Sequence, residues 1–175
     1  MPSLKEVKQQ VADLKYADTF GTKKEIKYLP EILKDDEKIL GLTSGLMDNN
    51  TWLIAFTHKR VIFLDKGMIY GLKQIEIPLR KINSIEHKTG IMFGEIHIWD
   101  GAAPMPIKNV FKGSVVPFVN ALNDAIDNMN AAQNNNGGSA PASLSDELEK
   151  LAKLKDSGVL TSDEFDAQKQ KLLAS

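Results

Sequence analysis

Hydrophobic positions fall into distinct rhythms along the chain, and each rhythm predicts a different element. Near the start, Leu4, Val7, Val11 and Leu14 recur at helical spacing, so residues 4–18 read as an amphipathic helix. Ser3, with Glu6 three positions on, has the form of a capping box. A second short helix fits Lys23 to Tyr28, and Pro30 is expected to interrupt it. Leu29, Ile32 and Leu33 then lead into the next region.

Between residues 38 and 109 the rhythm becomes that of strands. Ile39–Leu42 precedes the turn-rich Met47-Asp48-Asn49-Asn50. Thr51–Phe56 and Val61–Leu64 follow, separated by Thr57-His58-Lys59-Arg60. Residues 69–77 and 82–88 carry strand patterns with Pro78 between them. In Ile91–Trp99, Phe93, Glu95 and His97 alternate with Ile96 and Ile98, and Met105–Val110 closes the series. About seven short strands at regular spacing predict a small antiparallel sandwich or barrel.

Residues 114–130 return to helical spacing. Val115, Val119, Leu122, Ile126 and Met129 form one stripe, opposite Asn120, Asn123, Asp124 and Asp127. Ser114 is the expected N-cap. Such a helix needs a sheet or barrel mouth to cover. Residues 131–143, AAQNNNGGSAPAS, are too small and polar to offset an ordering cost of about 1–2 kcal/mol per residue, and read as a flexible linker. The last segment predicts a helical hairpin. Leu144, Leu148, Leu151 and Leu154 stripe its first helix, Gly158 suits the turn, and Thr161 with Glu164 caps the second. Phe165 and Leu172 share a face of that second helix.

Composition narrows the chemistry. The formal net charge is −1, with 8 basic against 6 acidic residues over 39–110 and 5 against 7 over 141–175. That balance gives no electrostatic footprint for nucleic acid and argues against anionic lipid. There is no cysteine, so disulfides and thiolate chemistry are excluded, and a reducing cytoplasm is the expected setting. No run approaches the ~20 apolar residues of a membrane helix. His58, His87 and His97 show no metal-ligand spacing, and no Gly-rich phosphate loop occurs. Asp35-Asp36-Glu37 reads as a solvated turn. Trp52, Trp99 and Phe93 lack the basic interleaving of a base-stacking platform and are expected in the core. Two basic pairs, Lys59-Arg60 and Arg80-Lys81, are the possible anion contacts. No nucleophile, base and orienter come together in the sequence, so no catalytic residue, metal or cofactor is expected.

Two segments resemble known families. Leu151-Ala152-Lys153-Leu154, Asp156-Ser157-Gly158-Val159-Leu160-Thr161, Glu164-Phe165 and Lys171-Leu172-Leu173 closely resemble the SHOCT module, a short C-terminal domain of many prokaryotic and phage proteins. The resemblance implies an oligomerisation or protein-contact role. Glu37-Lys38-Ile39-Leu40, Thr57–Leu64, Pro78–Ile85 and the amphipathic helix after the last strand resemble the bacterial pleckstrin-homology-like (PH-like) domains of the YokE type. The fold so implied is α+β, two antiparallel sheets with one end plugged by a helix. Phosphoinositide-binding members of the wider fold carry basic residues at the first hairpin, whereas Met47-Asp48-Asn49-Asn50 has none, which speaks against headgroup binding.

The organisation expected is therefore an N-terminal helical segment (1–29), a PH-like domain (30–130), a linker (131–143) and a SHOCT-like hairpin (144–175). The expected function is that of a non-enzymatic adaptor. Its core recognises a protein or peptide, and its tail contacts partners or other copies through Leu144, Leu148, Leu151, Leu154, Phe165 and Leu172. The alternative is a peripheral membrane protein that holds anionic lipid through basic turns.

Overall fold

The computed structural model describes residues 1–67, 71–101 and 103–136, together with Lys155, Phe165 and Lys169. The chain divides into two units, Met1–Ala132 and Gln133–Ser175. The first opens with helices α1 (Leu4–Asp13) and α2 (Lys23–Ile32). Seven strands follow: β1 (Gly41–Met47), β2 (Asn50–Phe56), β3 (Arg60–Lys66), β4 (Leu72–Pro78), β5 (Ser84–Thr89), β6 (Phe93–Trp99) and β7 (Pro104–Phe111). A single 3-10 turn, Leu79–Lys81, separates β4 from β5, and helix α3 (Lys112–Asn136) comes last.

The strands form one antiparallel sheet in the order β4-β3-β2-β1-β7-β6-β5, open at both ends. The expected pair of sheets is thus one continuous sheet. Its halves, β1–β4 and β5–β7, meet at a seam where Leu46 pairs with Lys108. Gly45 makes that seam possible, because a Cβ there would lie 2.4 Å from the Ile107 methyl. Asp48 and Asn49 turn the β1–β2 hairpin with φ of 49° and 62°, as a two-residue loop with a twist matched to its strands requires.

Each face of the β1–β4 half has its own core. Trp52, Ile54, Phe56, Val61 and Phe63 point inward, where they meet Ile96, Ile98, Ile107 and Val110 of the other half and Val115, Phe118, Val119 and Leu122 of α3. The Phe56 and Phe118 rings meet edge to face, 5.2 Å between centroids. Leu42, Leu53, Ala55, Ile62 and Leu64 point the other way, under Val7, Val11, Ile26, Leu29 and Leu33 of the N-terminal segment. Burial on both faces explains why Trp52–Phe56 and Val61–Leu64 are unbroken apolar runs.

Several boundaries differ from those read in sequence. α1 stops at Asp13 rather than residue 18, because the following chain is tied to β1: the Asp18 N–H donates to the Leu42 carbonyl and the Ser44 hydroxyl donates to the Asp18 carboxylate. α2 runs through Pro30 to Ile32, held by burial of Leu29 and Leu33 against the outer core. β1 extends through Thr43 and Ser44, both buried. α3 starts two residues before the expected cap Ser114, directly from β7, and continues to Asn136. β6 begins at Phe93, since the Gly90 N–H donates to the Phe93 carbonyl and leaves Ile91 and Met92 as a hairpin tip.

Candidate functional site

The strongest polar cluster gathers around the basic turn between β2 and β3. Thr57 shapes the turn: its hydroxyl accepts from the Lys59 and Arg60 N–H groups at 3.1 and 3.3 Å and donates to Glu37 at 3.1 Å. Arg60 grips the Glu37 carboxylate with two nitrogens, Nε to Oε1 at 2.9 Å and Nη2 to Oε2 at 2.6 Å. Nη2 also donates to the Ile32 carbonyl at 2.9 Å, and Nη1 pairs with Glu76. The Lys34 N–H adds a further bond to Glu37 at 2.9 Å. Lys59 pairs with Asp36.

Glu37 is 2% exposed, so Asp35-Asp36-Glu37 is not a solvated turn as a whole. Burial pushes the Glu37 carboxyl up, but the Arg60 fork, the Lys34 N–H and the Thr57 hydroxyl outweigh it and hold the carboxyl below its ordinary value. The Glu37 hydrogen bonds raise Arg60 in turn, against burial. The hydrogen bond from the Lys59 ammonium lowers Asp36. The cluster joins the end of α2, the entry to β1, the β2–β3 turn and β4. All three Arg60 guanidinium nitrogens are committed inside the protein, so this residue is a structural tie.

Of the four possible anion contacts, Lys59 and Arg60 thus lie together in an ion-pair network. Arg80 and Lys81 lie apart, exposed on the 3-10 turn, and neither is ion-paired with a described residue. A second latch fixes the start of α2: buried Glu25 accepts from the Lys66 N–H at 2.9 Å, and Asp65 lies 3.6 Å from Lys73. A cavity of about 620 Å³ opens beside it, bordered by Glu25, Asp65 and Lys73 and the turn at Asn49–Thr51. Asp65 and Lys73 in its lining face one another, and no described group of three metal-ligating side chains occurs there or elsewhere.

The aromatic residues separate. Trp52 is in the inner core and its Nε1 donates to the Met47 carbonyl at 3.1 Å. Phe93 and Trp99 stand on the outward face of β6, where Phe93 is 49% exposed. Register places Phe93 opposite Phe111, Lys88 opposite Glu95, and Glu86 opposite His97. His97 Nε2 lies 3.3 Å from Glu95 on the same strand. His58 and His87 are exposed. The outward face of β5–β7 thus carries mixed aromatic and charged side chains with no helix over it among the described residues.

In the second unit, Leu144, Leu148, Leu151, Leu154 and Leu172 lie outside the described residues. Phe165 is helical and half-buried, and the Lys155 ammonium sits 4.9 Å from its ring centroid, a cation–π contact.

An open antiparallel sheet crossed by a C-terminal amphipathic helix defines a PH-like protein. Residues 33–124 match the family model described as Bacterial PH domain, and the chain belongs to that family. Residues 146–173 match the model of the Short C-terminal domain, SHOCT. Among solved structures the chain is similar to a pleckstrin homology domain from Shewanella amazonensis SB2B, with 25% identity and a TM-score of 0.37 over 49% of this chain and 80% of that one. It is also similar to a DUF1696 family protein with a pleckstrin-homology domain from Shewanella loihica PV-4, with 23% identity and a TM-score of 0.38 over 61% of this chain and 93% of that one. No curated protein matches. No described helix is long and apolar enough to cross a membrane.

Proposed function

We propose that the protein is a non-catalytic adaptor: the PH-like core takes up an extended segment of a partner protein along the free edge of β5, and the SHOCT-like tail brings copies together. The observation that carries this reading is the contrast between the two sheet edges. β4 is tied down by its side chains, with Glu76 held by Arg60 and Gln74, and Lys73 beside Asp65. Both edge strands leave their outer backbone groups without a partner strand, and the difference lies in the side chains: none of Glu86, His87 and Lys88 on β5 is ion-paired with a described residue. Ile82 and Ile85 at this edge, and Ala121, Ile126 and Met129 on α3, are only partly covered. An added strand gains main-chain hydrogen bonds there, with apolar side chains to select it.

The tail reading rests on the family match and on the leucine stripe. The helical hairpin predicted from the sequence, of about 30 residues, is too small to hide six large apolar side chains within itself. Each one buried against another copy contributes about 1.5–3 kcal/mol before the cost of association. Copies joined in this way would bind a repeated partner more tightly without any new contact type. Sedimentation of the full chain tests this half: wild type should associate at micromolar concentration, and Leu151→Asp with Phe165→Asp should run as a monomer with an unchanged core melt. A wild type that stays monomeric would remove the assembly role.

A further inference from the structure

We propose that the tip of the β5–β6 hairpin is a docking site for an anionic bilayer surface, entered by Ile91 and Met92 and flanked by Lys88 and Lys112. Ile91 is 93% exposed, Met92 67% and Phe111 56%, the most exposed large apolar side chains among the described residues of the strand region. They form one patch. Phe93 and Phe111 are direct cross-strand partners, and the Lys112 N–H donates to the Met92 carbonyl at 3.1 Å. An adjacent apolar cluster on a water-facing surface marks a binding site rather than scattered exposure.

The local charge says what the patch meets. From His87 to Gly94, and from Val110 to Phe118, there is no acidic residue, whereas Lys88 and Lys112 fall in these segments and are exposed. Neither is ion-paired with a described residue. Glu95, opposite Lys88, is the nearest acid by register and lies against His97. Apolar side chains with lysines beside them suit a bilayer, where the tip enters the acyl boundary and the ammonium groups stay among anionic headgroups. The net charge of −1 does not oppose this, because such contacts are decided within a Debye length of about 8 Å.

Two other occupants fit less well. A second copy docked tip to tip would set lysine against lysine. A peptide held by its apolar side chains needs a pocket to receive them, and at the tip a side chain 93% exposed stands proud of its surroundings. This mode needs no headgroup pocket and does not involve the β1–β2 hairpin, which carries no Lys or Arg.

Co-sedimentation of the full chain with vesicles tests the proposal. Phosphatidylcholine vesicles containing phosphatidylglycerol should pull the protein down, and phosphatidylcholine alone should not. Ile91→Asp with Met92→Asp, at positions too exposed to matter for folding, should weaken binding at least about ten-fold. Lys88→Glu with Lys112→Glu should weaken it and flatten its salt dependence. A wild type left in the supernatant with anionic vesicles would overturn the proposal and leave the tip as a protein-contact surface. Binding unchanged in the double aspartate variant, or equal on neutral vesicles, would overturn it too.

Discussion

β2 and β6 are each seven residues long and lie in the same sheet, yet they face different surroundings. From Trp52 to Phe56 every β2 side chain is buried, alternately in the inner and the outer core. In β6 only alternate residues, Gly94, Ile96 and Ile98, are buried, and Phe93, Glu95, His97 and Trp99 face outward. The difference lies in what covers the second face. α1 and α2 close the outer face of the β1–β4 half, and no described helix does so for β5–β7. The β1–β4 half thus buries both of its faces, whereas the β5–β7 half leaves one face and a hairpin tip without a described helix over them.

The sharpest way to break the contrast is to remove the cover. Deleting residues 1–33 strips Val7, Val11, Ile26, Leu29 and Leu33 from the outer core. At about 1.5–3 kcal/mol for each side chain, the loss is comparable to the roughly 5–15 kcal/mol that holds a whole domain. The truncated chain should lose its cooperative melt and its sheet signal in circular dichroism, and a folded, soluble product would contradict the role given to the two helices.

Arg60→Ala comes next. It leaves Glu37 buried without its partner and should cost about 3–5 kcal/mol in urea unfolding. The pH dependence has a definite sign. Glu37 is held below its ordinary value in the folded state, so its contribution is complete above the unfolded carboxyl range near about 4.3 and drains away as pH falls toward the folded value. Glu37→Gln should flatten that acid limb, measured as melting temperature against pH.

Smaller effects separate the two faces. Leu64→Ala in the outer core should cost about 2–5 kcal/mol, whereas His97→Ala on the bare face should stay within about 0.5. Equal losses at the two positions would mean that the β5–β7 face is packed after all. Smallest of all, deleting residues 133–175 should leave the melting of the first unit within about 0.5 kcal/mol of the full chain.

Much of this was legible in the sequence. The strand series, the closing amphipathic stripe and the Ser3–Glu6 capping box correspond to observed elements, and the capping bonds are both present at 2.6 and 3.2 Å. The cover on the second face was also written there, since an unbroken Trp52–Phe56 run is what a strand buried on both sides needs. Glu37 was harder to read. It sits in a run of three acids that looks solvated, and its partner Arg60 is 23 residues away in another turn. The hairpin tip was hidden for the opposite reason: Ile91 and Met92 continue the apolar pattern into Phe93, and only the Gly90–Phe93 turn bond shows that they lie outside the strand. Lys59 and Arg60 look like a free basic pair until the fold supplies Asp36 and Glu37.

The central claim is that, of the two open edges, β5 rather than β4 takes up the partner segment. Peptides selected from a displayed random library on the full-length protein can be titrated against its assigned amide resonances. The largest shifts should fall on Ser84–Thr89 and on the side of α3 that carries Ile126 and Met129, and the amides of Leu72–Pro78 should stay in place. Shifts concentrated on β4, or a peptide that binds without moving β5, would contradict it.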